Sequence, residues 1–318
     1  VYDYPSMTYG KVFAECDNLQ SVEFEDGTRT IYRILNSCPS VEKIIIPNSV
    51  TKIDNSAFGA CTDLKEMEIP SAITSIGNDA FNGCSALKEI VIPKTVTSIG
   101  TSMFSNCTSL ERAVIHDSIT VVPDSTFANC VSLVEVSLPD TMTSIKTNAF
   151  KNCDSLIAFV IPKKVSTIGN NCFYDCDALT SITIPYGVTA IGSSAFYDCD
   201  ALETVDMANS VTSLGSSAFK HCDVLKNVKL SRNLTSIPSE AFRECAGLEE
   251  IVIPYFATKI ESNAFNSSPK LTKVVVHEKL ASINTSAFSY ADRTVFYGPT
   301  SSYTNTWCTD NGYSFVEN

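Results

Sequence analysis

A phenylalanine returns in this chain at an unbroken interval of 23 residues, and that interval decides what the chain can fold into. Cysteine and leucine columns keep the same period, three and six residues behind the phenylalanines. One 23-residue unit cannot bury its apolar side chains alone, whereas similar units stacked on each other bury them as one continuous core. The period therefore predicts a solenoid. The phenylalanines are Phe58, Phe81, Phe104, Phe127, Phe150, Phe173, Phe196, Phe219, Phe242, Phe265 and Phe288.

The segment Phe81–Gly100 shows how one unit is built. Its residues 88–93 alternate between apolar and exposed positions, with Ile90 and Ile92 pointing inward, and Pro93 ends the pattern. Residues 97–99 predict a second, shorter strand, and residues 78–84 predict a turn or one helical turn. We expect a β-rich solenoid of 23-residue coils. It should have a parallel sheet on one concave face and short second strands with turns or 3-10 pieces opposite.

The repeat predicts one domain over residues 1–318, without insertions that could carry separate binding loops. We expect an N-terminal cap at residues 1–15, about twelve repeats at 16–290 and a C-terminal cap at 291–318. In the C-terminal cap, residues 301–312 predict a short helix with Ser301 or Ser302 as N-cap and Gly312 as its stop. Tyr303 and Trp307, with Cys308 as a further candidate, should form its inner face, and residues 315–316 should close as a last strand.

The repeat resembles a known family. The unit C-x-x-L-x-x-I-x-I-P-x-x-V-T-x-I-G-x-x-A-F, as in Cys176–Phe196, looks like the BspA-like (Treponema-type) leucine-rich repeat, and the match runs from Phe13 to Phe288. Members of that family are cell-surface or secreted proteins of bacteria and some parasitic protists, and the better-known ones are implicated in adhesion to host matrix proteins and cells. The resemblance implies an extracellular or cell-surface location, and it brings no catalytic residues to carry over.

The chain is acidic, with a formal net charge of −12, and lacks a basic stripe. Such a chain cannot replace the counterions of a polyanion, so we expect neither nucleic acid nor an anionic membrane surface as its partner. No apolar run is long enough to cross a bilayer, and we expect no membrane insertion of this segment.

Thirteen cysteines raise the question of disulfides. Ten of them keep the 23-residue period, and Ser268 and Ala291 replace the cysteine in the last two coils. A column that accepts serine and alanine indicates a small buried group rather than half of a bridge. We expect free structural thiols, with disulfides or a metal site as the alternatives.

An aspartate follows the cysteine in four successive coils, at Asp154, Asp177, Asp200 and Asp223. Thr and Ser hold this position in earlier coils, which favours a turn-capping role through bonds to nearby backbone N–H groups. Stacked carboxylates could also hold Ca²⁺, but no Asp-x-Asp-x-Asp-Gly loop supports that alternative. We expect no cofactor and no resident metal.

Nothing in the sequence predicts an enzyme. The three histidines lie in different coils, and the chain contains no Gly-rich phosphate loop, no His-x-x-x-His pair and no nucleophile elbow. We therefore expect a non-enzymatic protein.

The exposed face of the parallel sheet is the remaining candidate site. β-branched residues suit any strand, but the face as a whole carries more valines than an inert surface needs. We expect it to bind a protein or a glycan, with host extracellular matrix among the candidates, and the alternative is a spacer that projects another domain. The candidate binding residues are Glu89, Val91, Arg112, Val114, Val160, Asp206, Lys229, Val252 and Lys273.

Overall fold

A computed structural model describes Phe13, Cys16 and residues 18–318 of the chain. Most of the predicted N-terminal cap lies outside the described residues. The chain divides into two compact units, Val1–Leu156 and Ile157–Asn318. Each unit is a parallel-strand solenoid of 23-residue coils, as the period predicts.

The strands of the N-terminal unit alternate along the chain between two ladders. Three- and four-residue strands, which we call front strands, form one ladder, and two-residue rear strands form the other. The strands are β1 (Ser21–Glu23), β2 (Thr30–Ile31), β3 (Lys43–Ile45), β4 (Lys52–Ile53), β5 (Ser75–Ile76), β6 (Glu89–Ile92), β7 (Ser98–Ile99), β8 (Arg112–Ile115), β9 (Val121–Val122), β10 (Glu135–Ser137) and β11 (Ser144–Ile145).

The described pairings in the N-terminal unit are parallel, with partners 23 residues apart except in β1–β3 and β2–β4, where they are 22 residues apart. The front strands pair as β1–β3 and as β6–β8–β10, and the rear strands pair as β2–β4–β5–β7 and β9–β11. In β6 the side chains of Ile90 and Ile92 are buried while Glu89 and Val91 are exposed, which is the predicted alternation.

The C-terminal unit repeats the two ladders and adds the cap. Its front strands pair as β13–β15–β17 and as β19–β21–β23–β24, and its rear strands include β12–β14–β16 and β18–β20–β22. The elements are β12 (Thr167–Ile168), β13 (Ser181–Ile184), β14 (Ala190–Ile191), β15 (Thr204–Met207), β16 (Ser213–Leu214), β17 (Asn227–Lys229), β18 (Ser236–Ile237), β19 (Glu250–Val252), β20 (Lys259–Ile260), β21 (Lys273–Val275), β22 (Ser282–Ile283), β23 (Val295–Gly298), α1 (Tyr303–Asn311) and β24 (Ser314–Glu317).

The phenylalanines stack coil upon coil at the centre of each unit. In the N-terminal unit the ring centroids of Phe81 and Phe104 lie 5.4 Å apart, and those of Phe104 and Phe127 lie 5.6 Å apart. In the C-terminal unit Phe196 stacks between Phe173 at 5.2 Å and Phe219 at 5.1 Å. All of these side chains are fully buried. Each contributes about 1.5–3 kcal/mol through burial, which makes this column the main apolar support of the fold.

The residues around each phenylalanine form turns. Asp79 (φ 54°) and Gly83 (φ 76°) flank Phe81 in the left-handed region, which excludes the single helical turn that the sequence left open. The N–H groups of Asp79, Phe81 and Gly83 donate to carbonyl oxygens of the next coil at 2.9, 3.0 and 2.8 Å. Each turn is thus hydrogen-bonded to the next in the same way as the strands are.

The ladder cysteines are free and buried, which confirms their prediction as structural thiols. Cys84 Sγ donates to the carbonyl oxygen of Phe58, the phenylalanine one coil earlier, at 3.2 Å, and most of the other ladder thiols make the equivalent bond. Cys61 Sγ donates to Leu35 instead, which holds the phenylalanine position of its coil, at 3.3 Å. Ser268 Oγ makes the same contact to Phe242, also at 3.2 Å. A small hydrogen-bond donor therefore suits this column, which explains why serine can replace cysteine, and Ala291 in the last coil shows that the donor is not obligatory.

Two predicted front strands are absent. The period places strands at residues 66–69 and 158–161, but neither segment forms one. In the first, Met67 takes the inward position that Ile90 holds one coil later, and unbranched methionine suits a pleated strand less well than isoleucine. In the second, the inward residue is Phe159, whose ring packs edge-on against Phe173 at 4.8 Å and needs more room than an isoleucine.

The C-terminal helix and strand form as predicted, with one correction. Helix α1 ends at Gly312, whose φ of 77° lets it donate back to Cys308, but the Ser302 hydroxyl makes no capping bond. Trp307 and Cys308 are buried together with Thr304, whereas Tyr303 is exposed and does not belong to the inner face. The reason is helical spacing: Thr304, Trp307 and Cys308 lie at i, i+3 and i+4 and share one face.

Candidate interaction surface

In the N-terminal unit, four candidate residues form one patch on β6 and β8. The register places Val91 beside Val114 and Glu89 beside Arg112. Val91 is 43% exposed, and Val114 is half-buried. Val114 still lies on the outer face of β8, because the buried side chains of that strand are those of Ala113 and Ile115.

Arg112 pairs with two glutamates in this patch. Arg112 Nη1 lies 2.7 Å from Glu89 Oε1, and Arg112 Nε lies 3.4 Å from Glu135 Oε2 on β10. The hydrogen bond that Arg112 donates to Glu89 and the charge of Glu135 raise the pKa of the Arg112 guanidinium. Glu89, Arg112 and Glu135 thus form a Glu–Arg–Glu ladder across three front strands.

In the C-terminal unit the remaining candidates lie on the front segments of five coils, and the coil of β13 carries none. Val160 is 86% exposed on the segment 158–161, and an isolated bridge between Ala158 and Ser181 joins that segment to β13. Val252 on β19 is 56% exposed. Large apolar side chains this open are uncommon on an inert surface when they recur in one column.

The charged candidates of the C-terminal unit also form cross-strand pairs. Lys229 Nζ lies 2.9 Å from Asp206 Oδ1, and Lys273 Nζ lies 2.8 Å from Glu250 Oε1. All four side chains are substantially exposed, so the pairs contribute about 0–1 kcal/mol each and remain available for exchange with a partner.

The aspartate column lies on the turn side. Burial, together with the neighbouring charges of Asp175, Asp200 and Asp223, raises the pKa of the Asp198 carboxyl, while His221 opposes that rise. Among the described residues, no group of three or more His, Cys, Asp or Glu side chains is placed to hold a metal ion. The turn-capping role of Asp154, Asp177, Asp200 and Asp223 stays a prediction.

Sequence reasoning missed two features near the candidate face. One is a cavity around residues 66–69, for which the Glu-Met-Glu sequence in a strand of β-branched residues was an available signal. The other is an aromatic cluster after β19, where Lys279 Nζ lies 4.0 Å from the ring centroid of Tyr255 and 4.7 Å from that of Phe256. Tyr186 holds the Tyr255 position three coils earlier, and polar or charged residues hold it in the other coils.

Stacked 23-residue coils with a parallel front ladder define a leucine-rich repeat protein, a class of protein-interaction modules. Overlapping matches to a family model described as the BspA type leucine rich repeat region cover residues 9–111, 55–180, 103–224 and 166–294. The chain belongs to this family. Solenoids of this class are typically non-enzymatic.

Solved structures of similar proteins include two bacterial leucine-rich repeat proteins. A leucine-rich repeat protein from Bacteroides ovatus is 27% identical over 95% of this chain and 85% of its own, with a TM-score of 0.78. A leucine rich cell surface protein from Faecalibacterium prausnitzii is 29% identical over 90% of this chain and 84% of its own, with a TM-score of 0.55.

The pneumococcal vaccine antigen PcpA shares the fold at 18% identity, over 94% of this chain and 92% of its own, with a TM-score of 0.52. A search of the curated proteins finds none that matches this chain. In the described part of the chain, no helix is both long and apolar enough to span a bilayer.

Proposed function

We propose that this chain is a surface or secreted adhesion module that binds a protein or a glycan through its front face. The observation that carries the proposal is the recurrence of exposed valines in one column, with Val160 at 86% exposure. Keeping them in water confers no stability on the fold, whereas a partner that covers them gains apolar contact area.

The charged residues beside the valines also support binding through the front face. The exposed cross-strand pairs of Asp206 with Lys229 and of Glu250 with Lys273 surround the valines with polar groups. An apolar centre with a polar rim is the usual composition of protein interfaces. The cell-surface relative from Faecalibacterium prausnitzii supports an extracellular location, and host extracellular matrix is the partner class we propose to screen first.

Attachment assays with front-face variants test the proposal. V160D/V252D places two charges among exposed side chains, so the fold should persist while attachment of the purified protein to immobilised matrix proteins or glycans falls at least tenfold. The matched control is S213D/S282D, which adds the same charges at exposed positions of the rear strands β16 and β22.

Equal attachment of V160D/V252D and the parent would contradict the proposal. A spacer, the alternative function, would bind none of the screened partners in any variant. It would act only by projecting another domain.

A further inference from the structure

The front sheet of the N-terminal unit is interrupted at one coil. Residues 66–69 occupy the place of a front strand between β3 and β6, yet among the described residues no backbone hydrogen bond joins them to either strand. Just before this segment, the backbone N–H of Lys88 donates a hydrogen bond to the carbonyl oxygen of Lys65 at 3.3 Å. An unpaired row of N–H and C=O groups in a sheet is a template for pairing with another chain.

The interruption opens a cavity of about 1030 Å³ on the front face. Its walls come from three successive coils and include Ile45, Glu66, Met67, Glu68, Glu89 and Val91. This volume lies at the upper end of the range of ligand sites, about 300–1,000 Å³. The cavity is therefore large enough for several residues of an extended peptide.

The charge of the cavity selects a cationic occupant. Glu66 and Glu68 are exposed and make no ion pair with any residue that the structure describes. The neighbouring Lys65 is already held by Glu42 at 3.2 Å, which leaves Lys43 as the cation on this wall. Uncompensated carboxylates steer and hold a partner of opposite charge.

A second opening, between β17 and β19 of the C-terminal unit, provides a contrast. It encloses about 400 Å³, and its charged residues include Asp206, paired with Lys229 at 2.9 Å, and Glu250, paired with Lys273 at 2.8 Å. Both segments beside it are regular strands with one paired edge. It offers neither an unpaired segment nor uncompensated carboxylates, so it lacks the two features that select a ligand at residues 66–69.

We propose that residues 66–69, with the facing edges of β3 and β6, form a docking slot for an extended cationic segment of a partner protein. The segment adds its backbone to the open edges as an extra strand, and alternate lysine or arginine side chains reach Glu66 and Glu68. The inference rests on the proposed adhesive function and narrows its partner to a protein.

Fluorescence anisotropy with a labelled peptide of four Lys-Thr repeats tests the slot. The parent protein should bind this peptide and not its Glu-Thr counterpart. Methylation of every second backbone nitrogen removes strand donors but keeps the charge, and it should weaken binding at least tenfold. The variant E66K/E68K should also bind at least tenfold more weakly, with an unchanged circular dichroism spectrum.

The matched control is E203K/E249K, which reverses two exposed carboxylates of the C-terminal unit and should bind like the parent. Hydrogen exchange should show the amides of residues 66–69 slowed by the peptide. Absence of binding, equal binding of the methylated peptide or equal weakening in the control would each overturn the slot.

The two experiments test the docking slot and the adhesive function independently. If V160D/V252D abolishes attachment while the peptide does not bind, only the slot is wrong. If the peptide binds while V160D/V252D attaches like the parent, the valine surface is wrong and the slot stands.

Discussion

The turn side and the front face of each unit follow the same 23-residue period but differ in how strictly they obey it. On the turn side, most coils carry a buried phenylalanine and, three residues later, a cysteine or serine that donates to the preceding coil. Residues with left-handed backbone conformation also recur at equivalent positions. On the front face, the segments 66–69 and 158–161 form no strand where the other coils do. The residue type also varies from coil to coil, since valine, glutamate, serine and lysine all occur in one column. Buried positions are constrained by both neighbouring coils, whereas exposed positions are constrained by neither.

This difference indicates which residues of such a repeat protein are candidates for function. A residue that repeats in every coil is explained by packing, and a residue that departs from its column is not. Glu68 departs from a column in which valine is the most frequent residue, whereas ten cysteines keep theirs without a break from Cys38 to Cys245. Experiments that separate the two regions should therefore affect stability on one side and binding on the other.

The largest expected effect is alkaline unfolding through the cysteine column. Burial raises the pKa of the Cys61 and Cys199 thiols to about 12, against about 8.5 for a cysteine in an unfolded chain. The folded state therefore holds these protons more tightly. The stability that they provide is complete below pH 8.5 and is lost as the pH rises towards 12, by about 1.4 kcal/mol per pH unit for each thiol.

Urea unfolding between pH 7 and pH 11 checks this prediction. The parent should lose stability steeply above pH 9, and the variant C199S/C222S/C245S should lose it less steeply because serine does not titrate there. Identical pH dependence in the two proteins would show that the thiols are not responsible.

A smaller effect is expected from a single break in the aromatic stack. Phe104→Ala removes a fully buried ring that stacks on both Phe81 and Phe127, and large-to-small changes of this kind cost about 3–5 kcal/mol. The matched change on the front face is Val91→Ala, which should cost below about 1 kcal/mol because the side chain is 43% exposed. Urea denaturation at pH 7 measures the loss in free energy of unfolding for both variants. Similar losses would show that the turn side and the front face contribute equally to stability.

The smallest effect concerns the hydrogen-bond donor that cysteine and serine supply in the cysteine column. Cys199 Sγ donates to the Phe173 carbonyl at 3.1 Å, and Ser268 shows that a hydroxyl can do the same. Cys199→Ser should therefore cost less than Cys199→Ala, which loses both the bond and the packed volume, by about 1 kcal/mol. If alanine is tolerated as well as serine, the column needs only a small residue and the hydrogen bond is incidental.

Much of the fold could be predicted because its signals are local and repeated. The periodic Phe, Cys and Leu columns predicted the coils, the alternation at residues 88–93 predicted the front strands, and Gly312 predicted the end of the C-terminal helix. The candidate surface was predicted as a set of columns, and the register confirms that Val91 lies beside Val114 and Asp206 beside Lys229. Whether that surface binds a partner remains a proposal.

The sequence by itself determined the coil, its buried columns and the family, because a side chain that repeats every 23 residues has the same surroundings in every coil. The tertiary structure alone decided the pairing of Arg112 with two glutamates, the exposure of Tyr303 and the unpaired segment at residues 66–69. Each of these depends on how one coil differs from its neighbours. A single departure such as Met67 does not reveal whether the backbone keeps its hydrogen bonds, since that outcome depends on the packing of three coils at once.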